Sequence, residues 1–544
     1  MGPPLPRPSF EDDANLPPGT FQLIRDYEVE TQVQRVVILD PIPSHDPNEP
    51  LNWSTIRKTV NFTIVLAMTI IIFTALSIQS IFWQQMVVDM NVSYTELNQA
   101  MSVNYVGLAT GCVFFIPLAK KYGRRPVYIS STAIMLATAF WSARMESLAE
   151  LYLTNLLQGL AGACNEAIVE ITIADLFFVH HRGSMNGLYM TCIMIGSFLT
   201  PMAAGTQATK QGWRWSYHTM GIFNAILFVL FVIMYEETKY IPVLTGQAST
   251  ASGEEEDLDP QNKVDRKDSK VIISGEPDHL RQELDLTIPR SSWRKRLALI
   301  TPTPEPIWPH FYHPFHVLVR FPTVMFTAIQ YAAGIIWLTI MSNVLSLVFP
   351  LPPYNFTPEQ IGFMSLGPFI GTLIGAVYGG FLGDWSILFF SRRNKGYYEP
   401  EMRLYILHLP AIAMAGGLIM FGATIARGMH WIYPSVAGAL FGFGLNSICD
   451  AVMTLVIDSY RDITGDAFTA VSFVRNAAGI GIPFAISPWM ERNGLQNMFI
   501  ACGLISLGLT LLTVPMVFWG KATRRGLAVR YNRIVKEQGN SRAH

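Results

Sequence analysis

The sequence predicts an all-α polytopic membrane protein: twelve transmembrane helices in two pseudo-symmetric bundles of six. Three observations carry this. Of the 544 residues, 50% are hydrophobic and only 15% are charged, against roughly 25% charged in a soluble domain, and mean hydropathy is +0.29. No charged residue occurs between Lys58 and Asp89, a run longer than the roughly 20 apolar residues that cross a bilayer. The apolar runs also fall into two sets of six on either side of a polar insert.

The spans read as 60–81, 98–118, 126–143, 149–178, 185–206 and 216–236, then 319–346, 359–383, 403–426, 431–456, 465–488 and 497–520. The expected organisation is an N-terminal cytosolic segment (1–58), a first bundle (59–237), a disordered cytosolic linker (238–316), a second bundle (317–520) and a C-terminal cytosolic tail (521–544). The linker includes the acidic "EEEDLD" at Glu254–Asp259 and too few apolar residues to build a core. Within it, "SSWRKRLALI" from Ser291 fits either a basic amphipathic helix on the membrane surface or a plain solvated helix.

Basic residues set the orientation. Lys120, Lys121, Arg124 and Arg125 follow the second span, Arg392, Arg393 and Lys395 the eighth, and Lys521, Arg524 and Arg525 the last, whereas the loops around Val92 and Tyr354 have no Lys or Arg. Both termini are then cytosolic. The glycosylation triplets at Asn91 ("NVS") and Asn355 ("NFT") fall in loops expected outside, which agrees. A plasma-membrane location is expected, with no cleaved leader, because no short apolar run precedes a small-residue cleavage site.

Composition also narrows function. Net charge is −1 and no phosphate-cradling Gly-rich loop occurs, which argues against nucleic acid or ATP as a partner. Cys112, Cys164, Cys192, Cys449 and Cys502 all fall in spans and read as small apolar residues, so no disulfide, metal or cofactor is expected. No nucleophile–base set marks an enzyme. Anything moved across the membrane is driven by an existing gradient.

The halves echo each other: "ITIADLFFVHHRG" closes the fourth span around Asp175, and "TLVIDSYRDITG" closes the tenth around Asp458. Superposing those aspartates brings Glu166 within one position of Asp450, as in duplicated transporters with a midplane site.

Several segments carry a resemblance: "DPNEPLNWS", "PLAKKYGRRPVY", "NLLQGLAGACNEA", "IADLFFVHHRG", "GWRW", "EETKY", "RRNKGYYEPEMRL" and "VIDSYRD". In this ordered set the chain resembles the fungal branch of the major facilitator superfamily, near the twelve-helix drug:proton antiporters and their organic-cation and polyamine permease group. The resemblance implies a monomeric, gradient-driven carrier of a small organic solute, with protons as the candidate coupling ion. Three positions depart from the pattern. Lys120 stands where the family has an acid ahead of Lys121, Gly123, Arg124 and Arg125, although the second half keeps its acid as Asp384. Asn155 replaces an arginine linked to proton handling, and Thr200–Pro201 stands in place of a Gly-Pro pair.

The opening candidates are the intramembrane polar residues, because a charge at bilayer depth normally faces a cavity or a partner. Glu166 and Glu170 lie about 40° apart on one helix face, with Asp175 about 180° from Glu166. Glu166 and Glu170, with Asn165, are expected to line a central cavity and to bind solute or proton; the plain alternative is a structural pair neutralised by a neighbouring helix. In the second half Asn446, Asp450 and Arg475 are further candidates, with Asp450 and Arg475 expected to pair. Tyr105, Tyr331 and Trp337 offer ring faces to a cation, although most aromatics simply pack. Lys120, Lys121, Gly123, Arg124, Arg125, Asp175, Asp384 and Asp458 form the expected cytosolic gate, with Asp175 as partner of the basic cluster.

The leading reading is efflux of an amphipathic drug or secondary metabolite. Uptake of organic cations such as polyamines is the alternative, and a non-transporting nutrient sensor is a third.

Overall fold

The computed structural model describes residues 17–22, 46–240 and 292–542, apart from 178, 303–306, 395, 461 and 462. Among these, twelve long helices run in chain order. The first half holds α1 Thr55–Met90, α2 Tyr94–Tyr122, α3 Arg124–Ser142, α4 Leu148–Leu176, α5 Met185–Gln211 and α6 Trp213–Ile233. The second holds α7 Pro322–Val348, α8 Pro358–Arg393, α9 Pro400–Ala426 and α10 Ile432–Ser459. A last run, Thr464–Val535, breaks at Gly494 (φ 74°) into α11 (464–493) and α12 (495–535). Helices α3 and α4 carry charge: α3 opens on Arg124–Arg125 and α4 contains Glu150, Glu166, Glu170 and Asp175.

Helix starts away from the basic loops are capped locally. Ser93 and Glu96 at α2, Ser147 and Glu150 at α4, and Thr357 and Gln360 at α8 each form a reciprocal capping box, which satisfies amides a helix start leaves open. Apolar side chains on outer faces stay exposed, including Ile222, Phe223, Ile226 and Val229 on α6 and Ile370, Leu373, Ile374 and Val377 on α8. A lipid-facing surface explains that pattern, because the backbone is already satisfied within each helix.

The duplicated plan shows in the glycine seams. Gly107 and Gly111 of α2 lie against Leu156 and Leu160 carbonyls of α4, and Gly159 of α4 lies against Asn104 of α2. Gly367, Gly371 and Gly375 of α8 meet Ser435, Ala439 and Phe443 of α10 in the same manner. Small residues at one-turn spacing let paired backbones approach within each half.

Two expectations about the polar segments change. Described parts of the expected linker are structured: Trp293–Arg296 is helical, the helix Trp308–Arg320 begins within it, Thr301 N–H donates to Tyr122 O (2.8 Å), and Pro314 is buried. The apolar stripe of "WPHFYHPFHVLVR" gives this stretch something to bury, which the acidic stretch lacks; residues 241–291 lie outside the described residues. The expected tail begins inside a helix, Thr513–Arg542, whose Arg524 is fully buried against Glu401. Near the N-terminus, Phe21–Gln22 (β1) pairs antiparallel with Tyr397–Tyr398 (β2), which docks this piece on the second half.

Candidate functional site

A cavity of about 1650 Å³ lies between the halves, walled by α1, α2, α4 and α5 from one and α7, α8, α10 and α11 from the other. It extends to the end of the bundle that bears the basic loops, where Lys120, Arg124, Asp175, Asp458 and Asp466 line it. At the opposite end the halves are joined. Asn343 Nδ2 donates to Asn98 Oδ1 (3.0 Å), Glu359 N–H donates to Thr209 Oγ1 (3.2 Å), and Gly205 of α5 and Gly362 of α8 lie against Pro358 and Pro201 carbonyls.

Glu166 and Glu170 both line the cavity, but their surroundings differ. Glu166 is buried and ion-paired with Arg475 of α11, and it accepts a hydrogen bond from Asn476 Nδ2 (2.9 Å). The expected Asp450–Arg475 pair is thus corrected to Glu166–Arg475. Helix spacing places a residue on its own helix but does not choose among acids on other helices, and α4 brings Glu166 to α11. Arg475 also donates to the Tyr331 hydroxyl (3.4 Å), with its guanidinium 5.2 Å from that ring's centre. Glu170, one turn along α4, keeps an oxygen, Oε2, shielded from solvent without a hydrogen-bond partner. The two carboxylates are therefore not a mutually repelling pair. One is neutralised and the other is available.

The remaining candidates separate. Asp450 and Asn446 line the cavity from α10, Asp450 in an exposed position. Tyr105 lines it too, with its hydroxyl 2.7 Å from Thr339 Oγ1 across the halves. Trp337 does not belong there: it is buried in the core at 5% exposure. It lies about 120° around α7 from Tyr331, so one cavity cannot take both. The side chains of Asn165 and Asp384 lie outside the described residues. Asn91 and Asn355 are exposed at the end away from the basic loops, both with left-handed backbone (φ 53° and 50°).

At the basic end, Gly123 adopts φ 114°, and a β-carbon there would run into the Glu237 carboxylate. That carboxylate accepts from the backbone N–H groups of Arg124 (2.9 Å) and Arg125 (3.1 Å), the first amides of α3. Arg124 Nε pairs with Asp175 Oδ2 (3.0 Å), and Arg125 donates to the carbonyls of Tyr235 (2.9 Å) and Leu297 (2.5 Å). The Lys121 carbonyl accepts from Lys239 Nζ (2.6 Å). The second half repeats the motif, with Asp458 at the end of α10 held by Arg403 (2.9 Å) and by the Tyr398 hydroxyl. Lys120 reaches across to pair with buried Asp466 at the start of α11. Nearby, burial and then Lys120 push His310 down to about 4, which leaves it uncharged at neutral pH.

Sequence reasoning passed over Asp466, Arg403, Glu237 and Asn186. Glu237 and Arg403 lie inside segments quoted for the resemblance, so only their partners were hidden. Asp466 had a signal, an acid in the first turn of a predicted span, where helix dipoles favour it. Asn186 had none, being one amide among many polar residues in its helix.

Two six-helix halves around a central cavity with charged groups in its wall define a membrane transporter of the duplicated, two-bundle kind. The chain belongs to the Major Facilitator Superfamily, whose profile matches residues 65–483. It is 28% identical over 543 residues, covering 94% of each chain, to an uncharacterised MFS-type transporter of Schizosaccharomyces pombe. It is 27% identical over 564 residues to Protein HOL1 of Saccharomyces cerevisiae, covering 94% of this chain and 96% of that one. A multidrug transporter of Candida glabrata, TPO1_2, is 26% identical over 498 residues, covering 90% and 79%. Among solved structures, the proton:xylose symporter XylE bound to 6-bromo-6-deoxy-D-glucose superposes with a TM-score of 0.57 at 12% identity, covering 86% of this chain and 96% of that one. That last likeness is one of fold. The relatives place the chain among fungal MFS transporters, near the multidrug transporters.

Proposed function

We propose that the chain is a gradient-driven, alternating-access carrier of a small organic solute bearing a positive charge. One observation carries this reading: Glu170 lines the central cavity and has a buried carboxylate oxygen without a hydrogen-bond partner, while the neighbouring Glu166 is already neutralised by Arg475. A carboxylate in that setting exchanges a proton for a cation, since either one relieves the cost of its charge. The basic end is read as cytosolic by the excess of Lys and Arg there. Asn91 and Asn355 then face outward as glycosylation sites of a plasma-membrane protein that acts as a monomer.

Efflux is the direction that relatives named as multidrug transporters support. Uptake is supported by the acidic cavity wall together with an inside-negative potential, worth roughly 2.3 kcal/mol per charge per 100 mV.

The test is flux of labelled spermidine and of a lipophilic aromatic amine in proteoliposomes, under an imposed potential and then an imposed pH gradient. Wild type is expected to carry at least one of them, and Glu170→Gln to lose at least about tenfold in rate while remaining folded. Equal flux through wild type and Glu170→Gln would remove the carboxylate from the mechanism. The sign of the driving gradient separates efflux from uptake.

A further inference from the structure

The cavity wall contains a second acceptor that the proposed function does not use. Asn186 of α5 lines the cavity, and its Oδ1, like Glu170 Oε2, is shielded from solvent without a hydrogen-bond partner. The two residues sit on consecutive helices. Arg475, a donor that also lines the cavity, is engaged by Glu166, by the Tyr331 hydroxyl and by Asn476. Two side chains of the cavity wall, one a carboxylate and one an amide, thus each hold a buried acceptor oxygen with no partner among the described residues.

Buried polar groups in folded proteins are nearly always paired, and an orphan acceptor is a standing penalty that an incoming donor removes. A cation could answer the Glu170 charge without any N–H group. The amide oxygen of Asn186 has no charge to answer, and only a donor satisfies it. We infer that the solute is held through N–H donors shared between Glu170 and Asn186, and that Asn186 selects ammonium groups bearing N–H over quaternary ammonium groups of the same charge. This rests on the cationic reading above and adds the chemistry by which cations are told apart. The apolar part of the wall does not make the distinction: Phe73, Leu76, Leu108 and Ile335 offer surface to any hydrocarbon part. A site built to hydrogen-bond an N–H rejects an analogue lacking it, because its own buried groups are then left unpaired.

The experiment uses the full chain in proteoliposomes and one matched pair of probes, phenethylammonium and its N,N,N-trimethyl derivative, which share charge and hydrocarbon tail. Wild type is expected to transport the primary amine with a kcat/KM at least about tenfold above the quaternary one. Asn186→Leu is expected to bring that ratio close to unity, and Asn186→Asp, which keeps an acceptor, to preserve it. Thermal unfolding of each variant in detergent establishes that it is folded. A wild-type ratio near unity, or a ratio unchanged in Asn186→Leu, overturns the assignment while leaving a cation carrier in place. If folded wild type moves neither probe and does not move spermidine, the cationic reading itself falls, and the assignment with it. The ratio reports selectivity rather than activity, so a merely structural Asn186 would lower both fluxes together and leave it unmoved.

Discussion

Glu166 and Arg475 come from opposite halves, α4 and α11, and both are buried, so the hydration each ion loses is offset mainly by the other and by Asn476. Removing one partner strands the other, at about 3–5 kcal/mol, while removing both charges together is far milder. Arg475→Gln is therefore expected to unfold well below wild type, and the double variant Glu166→Gln/Arg475→Gln to recover much of the loss. Thermal unfolding in one detergent at one pH checks this; a double variant no better than the single would mean that the pair is not the coupled unit described. The carboxylates were legible in the sequence because acids stand out in an apolar run. Their partners were not, because two acids competed for one arginine and nothing along a helix records which other helix it faces. Trp337 shows the same limit for rotation, since depth along α7 was readable but the side facing the cavity was not.

Among the elements, α2 and α11 form a charged joint between the halves. Lys120 closes the last turn of α2 and Asp466 opens the first turn of α11, so each charge sits at the helix end whose dipole favours it and the two also pair with each other. The acid expected ahead of the basic cluster is absent, yet its electrostatic work is divided: Glu237 and Asp175 serve Gly123–Arg125 within the half, and Asp466 serves Lys120 across it. Lys120→Glu is expected to oppose Asp466, destabilising this joint by about 1–3 kcal/mol through the buried partner left unmatched. The exchange Lys120→Glu/Asp466→Lys restores attraction but places both charges at unfavourable helix ends, so its rescue is expected to be partial. Flux rates for the three chains measure this. Full rescue would show that the dipole contribution is negligible, and no rescue that the two residues do not act as a pair.

For the whole molecule, the question is which contacts hold a half together and which must part when the halves rock. The glycine seams α2–α4 and α8–α10 are internal to a half and repeat between the halves, as the paired sequences around Asp175 and Asp458 foreshadow. The α5–α8 contact is different. It joins the halves at the end where the cavity stops, with Gly205 and Gly362 bringing the two backbones together. Glycine counts in the sequence could not separate the two kinds of seam, since both read as small residues in apolar helices. A side chain at Gly362 would meet the Pro201 carbonyl at 2.8 Å, so the bulk of Gly362→Val can be accommodated only if that end opens, a movement alternating access already requires. A side chain at Gly371, by contrast, runs into the Ala439 carbonyl inside one half, where no transport movement relieves it. The expected outcome is that Gly362→Val stays folded but raises labelling of a cysteine placed at Ser80, a cavity residue, by an impermeant maleimide added from the side that bears Asn91 and Asn355, in a background with the five native cysteines replaced. Gly371→Val is expected to lose yield and thermal stability with no such gain. Equal labelling of Gly362→Val and its parent would mean that the α5–α8 contact is not the gate on that side, and that the halves separate along some other line.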